Sequence, residues 1–402
     1  MVFVGATRFS LFQPNSAAWR TSQAGRFNSP DEYRKFLFSD ERLAPRMKIL
    51  GEISMPLISK AAEHHKIRHI IQYSPELPQK YQARLQDLAA AYPFIVLSDI
   101  SDKSGATHPY TVADALTNGS GPYALYRLDD DDFLSPDYFD QTSRYVSEEF
   151  LGFRVSLAAG ATGIYNGQHF ETLRYVHRPN IAIGLASIQG RNKAGDFIAP
   201  PASSHHHSDR VGPVIVDAQK CAYFWTRHEG QDTDVGRNNP FDTVRTEVSR
   251  LMPIPEEWDM AALFPSLDGY ITKRTATDLG TNISIPMEGY EISCTLKGSI
   301  SLQIDATFPD GMTATSTLVS VRFKDQEHAL AHPEQYQGLV ASPAPHIGMF
   351  RYLISYPGRR SSEIEFEIPE SAEVTSLKFM PFGADARPFT VNSVKSLQTV
   401  ES

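Results

Sequence analysis

The pattern of apolar and polar positions changes rhythm along the chain. In the first 130 residues, short apolar runs alternate with amphipathic stretches. VFVGATRF, IRHIIQYS, FIVLSDI and YALYRLD read as strands, because compact apolar runs rich in β-branched and aromatic residues suit a sheet covered on both faces. Between them, SPDEYRKFLF, a longer stretch from about Glu41 to His65, PQKYQARLQDLAAAY and TVADALTNG read as helices. Ser29, Pro30 and Glu32 give the first of these an N-cap, a favourable first-turn proline and a capping-box partner. A further helix is expected from Ser135 to Phe150, opened by Ser-Pro-Asp. This order predicts an α/β, Rossmann-like domain with a mainly parallel sheet and helices on both faces.

From residue 151 to 260 the rhythm is less regular, with strand-like pieces (TLRYVHRP, IAIGLASI, GPVIVDA, AYFWTRH) between loops rich in Gly, Asn and His. After residue 265 the period becomes two. GYEISCTLKGSISLQIDATF, STLVSVRF, MFRYLISY, EIEFEIP, VTSLKFMPF and FTVNSVKSL give a series of short strands with no helix, which predicts an all-β sandwich or jelly roll. LMPIPEEWDMAALFPSLDG reads as the linker, dividing the chain into residues 1–262 and 263–402.

Composition narrows the function classes. A chain of 402 residues exceeds one ordinary core, and 41% hydrophobic with 11% aromatic residues is ample for globular folding. A net charge of -9 weighs against a nucleic-acid partner. Cys221 and Cys294 are the only cysteines and form no C-x-x-C pair, which excludes a disulfide framework or a cysteine zinc site and fits a reducing compartment. No apolar run approaches ~18 residues, and MVFVGATRFSLFQ lacks the basic start of a secretory signal. The expectation is a soluble cytoplasmic protein, with peripheral membrane contact left open.

Candidate chemistry concentrates in SGPYALYRLDDDDFLSPDYFD. Four adjacent carboxylates repel one another, so a positive partner is expected where they sit. They follow the YALYRL strand, at the edge where α/β sheets bind ligands. Asp129 and Asp131, as alternate residues of extended chain, face the same way and form a D-x-D pair suited to Mg²⁺ or Mn²⁺. An EF-hand is excluded, since counting from Asp129 puts Leu134 at position six and Asp140 at position twelve. The bland alternative is an acidic turn before a helix N-terminus. In HHHSDR, His205 and His207 share a face if the segment is extended. They line an acceptor pocket, belong to a solvated loop, or form part of a separate metal site.

The ordered pieces ATRFS, ISMPLISK, YSPELPQKYQARLQDL, YRLDDDDFLSPDYF, HHHSDR and AYFWTRHEGQD, spanning residues 5 to 235, resemble nucleotide-sugar glycosyltransferases of the GT-A type. Within these, the chain is similar to a bacterial rhamnosyltransferase family. The resemblance implies a GT-A-like domain and does not cover the all-β region after residue 265. It also implies a nucleotide-sugar donor, with Arg8, Phe9, Ser10, Asp129 and Asp130 at the nucleotide. Asp129, Asp131 and His228 would hold the metal, and His205 and His207 would contact the acceptor, which is a glycan or a lipid-linked or protein-linked sugar. For Arg8 the alternative is an ordinary salt bridge, for His228 a surface histidine, and Arg127 is expected to balance the aspartates. An inverting reaction needs a base, for which Asp209 leads, with Asp217 and Glu229 behind it; a retaining one needs none in that role. Two rivals stay open. One is a metal-dependent hydrolase of phosphate or sugar esters that uses the aspartates and the His-x-His pair. The other is a non-catalytic glycan binder whose Tyr290, Tyr352 and Tyr356 stack on sugar rings instead of packing in the β core.

Overall fold

The computed structural model describes residues 1–14, 27–228, 244, 247–248, 251–255, 257–272 and 274–399. The chain divides into two compact units. The first comprises residues 1–238 with 255–271, and the second residues 239–254 with 272–402.

In the first unit the principal strands are β1 (Val2–Phe9), β2 (Lys66–Tyr73), β3 (Ile95–Asp99), β4 (Gly121–Arg127), β5 (Phe133–Leu134), β6 (Arg154–Leu157), β7 (Ala159–Tyr165), β8 (Phe170–His177), β9 (Ala186–Arg191), β10 (Phe197–Ile198), β11 (Val214–Asp217) and β12 (Tyr223–Arg227). One sheet has the order β11-β6-β9-β4-β1-β2-β3, with β10 beside β9. Strands β1, β2, β3 and β4 run parallel, whereas β9 is antiparallel to β4 and β6. The sheet is therefore mixed, since a strand from the irregular middle of the chain enters in reverse. A second sheet, β5-β12-β7-β8, leans on an aromatic cluster. Phe133 and Phe224 stack at 4.6 Å, and Phe170 and Phe264 meet them edge-on. Phe264 and Leu267 are fully buried in this unit. The stretch expected as a linker thus supplies core side chains, because its apolar residues close over the second sheet.

The longer helices of this unit are α1 (Pro30–Leu37), α2 (Asp40–Lys48), α3 (Met55–Ala62), α4 (Gln79–Ala91), α5 (Pro109–Thr117) and α6 (Asp137–Ser143). Ser29 caps α1 by accepting from the Glu32 N–H, while the Glu32 carboxylate reaches back to the Asn28 N–H. Helices α2 and α3 are joined through a π-helical turn, Ile49–Ser54, so the long helix expected from about Glu41 is continuous but widened in the middle. The helix expected over residues 135–150 is shorter. After α6 the chain turns and forms only a 3-10 turn at Glu148–Phe150.

The second unit contains the antiparallel sheets β13-β21-β15-β19 and β14-β20-β16-β18-β17, with β13 (Arg274–Ile285), β14 (Tyr290–Leu296), β15 (Ser299–Phe308), β16 (Thr317–Phe323), β17 (Val340–Ala341), β18 (Met349–Tyr352), β19 (Gly358–Glu367), β20 (Val374–Pro381) and β21 (Phe389–Thr399). Ile292, Val319, Leu377 and Phe379 from one sheet and Leu302, Ile304, Ile364 and Val394 from the other share one apolar cluster. One short helix, Gln326–Ala331, interrupts the strands where none was expected; Asp325 caps it by accepting from the His328 N–H. Among the described residues, no helix of the chain is long and apolar enough to cross a membrane.

Candidate active site

The aspartates leave the carboxyl end of β4 and turn inward. Asp130, Asp131 and Asp132 are 3%, 6% and 4% exposed, which rules out a solvated acidic turn for these three. Burying carboxylates is costly unless they are paired, and the pairing comes from α2. Arg46, itself buried, bonds Asp130 and places Nη2 3.0 Å from Asp131 Oδ2. On the other side of Asp131, His228 Nε2 lies 3.1 Å from the same oxygen. Asp132 accepts the Thr226 N–H at 2.9 Å, tying the run to β12 two residues before His228. Asp129 remains at the surface with Arg127, at 2.8 Å.

These surroundings set the protonation states. For Asp131, burial pushes the carboxyl up, but Arg46 and then His228 outweigh it and hold it below the usual carboxylate range. Burial raises Asp130 despite Arg46, and raises Asp132 well above its ordinary value, helped by the charges of Asp131 and Asp129. Burial lowers His228 more than Asp131 raises it, which favours the neutral imidazole. The neighbouring aspartates are thus electrostatically unequal, with Asp131 favoured as the anion.

The floor of the site is fixed by a buried chain of hydrogen bonds. Thr7 Oγ1 donates to the Leu128 carbonyl at 2.9 Å, immediately before the aspartates. Its oxygen therefore accepts from His69 Nε2 at 2.8 Å, and His69 Nδ1 accepts from the Tyr126 hydroxyl at 2.9 Å. Burial pushes His69 down to about 3, in keeping with a neutral ring. The ring fits because residue 5 is glycine; a Cβ there would lie 2.3 Å from both His69 Nδ1 and Tyr126 Cζ.

The other expected residues distribute as follows. Ser10, in the left-handed region at φ 48°, accepts from Arg42 at 2.8 Å, whereas Phe9 is fully buried. Arg8 is lowered by burial first and by Arg127 next, with Asp129 opposing, which puts it beside the surface pair. His205–His207 form a 3-10 turn, not the extended segment that would set His205 and His207 on one face, and Ser208–Val211 continues as a helical turn. The rings of His205 and His206 lie 3.8 Å apart. Burial, His206 and Arg127 push His205 down to about 4 against the pull of Asp129. His207 lies 3.3 Å from the Ser204 hydroxyl. Asp209 accepts from the Asn180 amide at 3.5 Å, and Asp217 accepts from Arg144 and Tyr145. Glu229 lies outside the described residues. Among the described residues, no three His, Cys, Asp or Glu side chains converge to hold a metal. The structure brings Asp131 and His228 together and leaves Asp129 on Arg127.

Arg42 and Arg46 were not anticipated. Spaced four apart on α2, they share a face with buried Leu43 and Met47, so two arginines inside an apolar helical stripe were the available signal.

A mixed sheet with parallel strands carries its buried carboxylates beyond the carboxyl end of a central strand, the position where α/β sheets bind ligands. The chain belongs to the family described as "Putative rhamnosyl transferase", whose model matches residues 2–238. Among solved structures it is similar to S. aureus TarS 1–349 in complex with UDP-GlcNAc, at 14% identity over 62% of this chain, with a TM-score of 0.25. The match spans 66% of that TarS chain, just under two thirds of its length. It is also similar to the inositol-1-phosphate CTP transferase from T. maritima, at 9% identity over 61% of this chain and 96% of that one, with a TM-score of 0.25. No curated protein matches the chain.

Proposed function

We propose that the first unit transfers a sugar, rhamnose by the family's description, from a nucleoside-diphosphate donor to a hydroxyl of a glycan, lipid-linked or protein-linked acceptor in the cytoplasm. The observation that carries this reading is Asp131, an anionic carboxylate held between Arg46 and His228 beyond the end of β4. A carboxylate oxygen beside an imidazole nitrogen is a donor pair for a divalent cation, and Asp131 and His228 would hold Mn²⁺ or Mg²⁺ once the Nε2 proton that bonds Asp131 has moved to Nδ1. When bound, that ion supplies charge neutralisation to the departing diphosphate. Arg46 fixes the Asp131 carboxylate, and Arg8 and Arg127 present positive charge at the mouth, where phosphate oxygens bind.

Asp129 and Asp130, with Ser10, form the nucleotide side of the site in this reading, backed from within the core by Phe9, and His205 and His207 the acceptor side. Asp209 takes the acceptor proton if the reaction inverts configuration. The second unit is a β-sandwich accessory domain, with exposed Tyr290, Tyr352 and Tyr356 available to sugar rings.

Calorimetric titration with a panel of nucleoside diphosphates, with and without Mn²⁺, tests the reading. One nucleotide should bind in a metal-dependent way, and Asp131→Asn should weaken it at least ~10-fold, ~1.4 kcal/mol. Absence of nucleotide binding, or equal binding by the variant, would overturn it.

A further inference from the structure

A cavity of about 530 Å³ opens in the first unit at the edge of the sheet opposite the aspartates. Its position follows from the topology. His65, on its wall, stands one residue before β2, at the amino ends of the parallel strands. Strand β12 carries His228 past its far end and Cys221 before its near end, and Cys221 also lines the cavity. Six residues of mostly extended chain separate the two, on the order of 20 Å. The volume lies within the ~300–1,000 Å³ range of small-ligand sites.

The lining has a consistent chemistry. Trp258 is half-buried and held edge-on by Tyr175 at 5.4 Å, so its indole is oriented before any ligand arrives. Asp140 is 63% exposed yet fixed by His65, whose Nε2 lies 2.9 Å away and whose side chain is only 9% exposed. Asp137 accepts from Gln141 at 3.1 Å and lies 3.5 Å from Lys220 Nζ. Lys60 and Lys220 are set against Glu63, Asp137 and Asp140, and Gln219 adds an amide. A strongly anionic ligand would meet three carboxylates, and a cationic one two ammonium groups. A neutral ligand rich in hydroxyls can donate to the carboxylates and accept from the ammonium and amide groups. Its C–H face can lie on the indole, whose body is apolar.

We propose that this cavity is a second saccharide-binding site, which takes a neutral pyranose with Trp258 as the platform and Asp137, Asp140 and Gln219 as hydrogen-bonding partners. It is separate from the aspartate site and needs no turnover, so it stands or falls independently of the donor reading.

Saturation-transfer NMR on the full chain tests it, with methyl α-L-rhamnoside, methyl β-D-glucoside and N-acetylglucosamine as probes. Transfer to at least one probe is expected, unchanged in Asp131→Asn, with the Kd from its concentration dependence raised more than ~5-fold, ~1 kcal/mol, in both Trp258→Ala and Gln219→Ala. Gln219 is exposed, so its variant keeps the test informative if loss of Trp258 prevents folding. No transfer to any probe, or a Kd unchanged in Gln219→Ala, overturns the proposal. So does transfer that disappears in Asp131→Asn, since the sugar would then occupy the aspartate site.

Discussion

Each unit contains an arginine that gathers two carboxylates, and the two arrangements differ in a telling way. In the second unit, Arg274 bonds Glu363 and Glu365, alternate residues on one face of β19. That spacing comes free with a strand, whose period is two. In the first unit, Arg46 gathers Asp130 and Asp131, which are adjacent. Neighbouring residues of a strand point to opposite faces, so one guanidinium holds both here because the chain has left the strand and turned. The Arg274 cluster fits the regular sheet around it. The Arg46 cluster requires the backbone to depart from its regular path, and the departure delivers Asp131 to His228.

The sharpest way to break this comparison is Arg46→Met. It strands two buried carboxylates and should cost ~3–5 kcal/mol, read from urea unfolding, with nucleotide binding lost alongside. Arg274→Met should cost less, ~2 kcal/mol, because its guanidinium is 18% exposed and water can enter the space it leaves. Nucleotide affinity should stay at the wild-type level; a fall there would mean that the second cluster also serves the site.

Acid gives the third contrast, a buried polar group that is not ionic. Folded His69 sits near 3, well below its ordinary 6.5, so the unfolded chain binds the extra proton first. The His69 contribution to stability should be constant above about pH 6.5 and should fall as pH drops from there toward 3, by up to ~1.4 kcal/mol per pH unit. His69→Gln should flatten that slope in unfolding midpoints measured between pH 7 and 4.5. Arg127→Gln should show the smallest change, below ~1 kcal/mol in thermal unfolding, because the Arg127–Asp129 pair is exposed and screened.

The readable part of the fold was the part with a strong period. Strands β1 to β4, the Ser29 cap and the two-residue rhythm after residue 265 follow from side-chain spacing, as does the position of the aspartates after β4. The Asp131–His228 contact spans 97 residues and came from resemblance, since no local spacing encodes it. What positive group answers the aspartates was legible only as two arginines standing in one apolar helical stripe. Arg42 and Arg46 look like ordinary charges on an amphipathic helix until α2 turns them inward. The hydrogen-bonded chain under the site was equally hidden, because Thr7, His69 and Tyr126 belong to three strands and register alone brings them together. The histidine run defied the extended reading because Ser208–Val211 continues it into a helical turn.

The wide turn at Ile49–Ser54 limits which chain lengths this protein tolerates. A π-turn holds one residue more than the α-helix around it, and each residue of a regular helix advances about 100°. Removing one residue there would tighten the helix into regular bonding and improve it locally. It would also swing the Arg42 and Arg46 face away from the face that packs Leu57 and Ile58 into the core. Single-residue deletions in this turn should therefore be tolerated by the helix and rejected by the site, and a lineage that keeps its aspartates paired has to keep its imperfect helix as well.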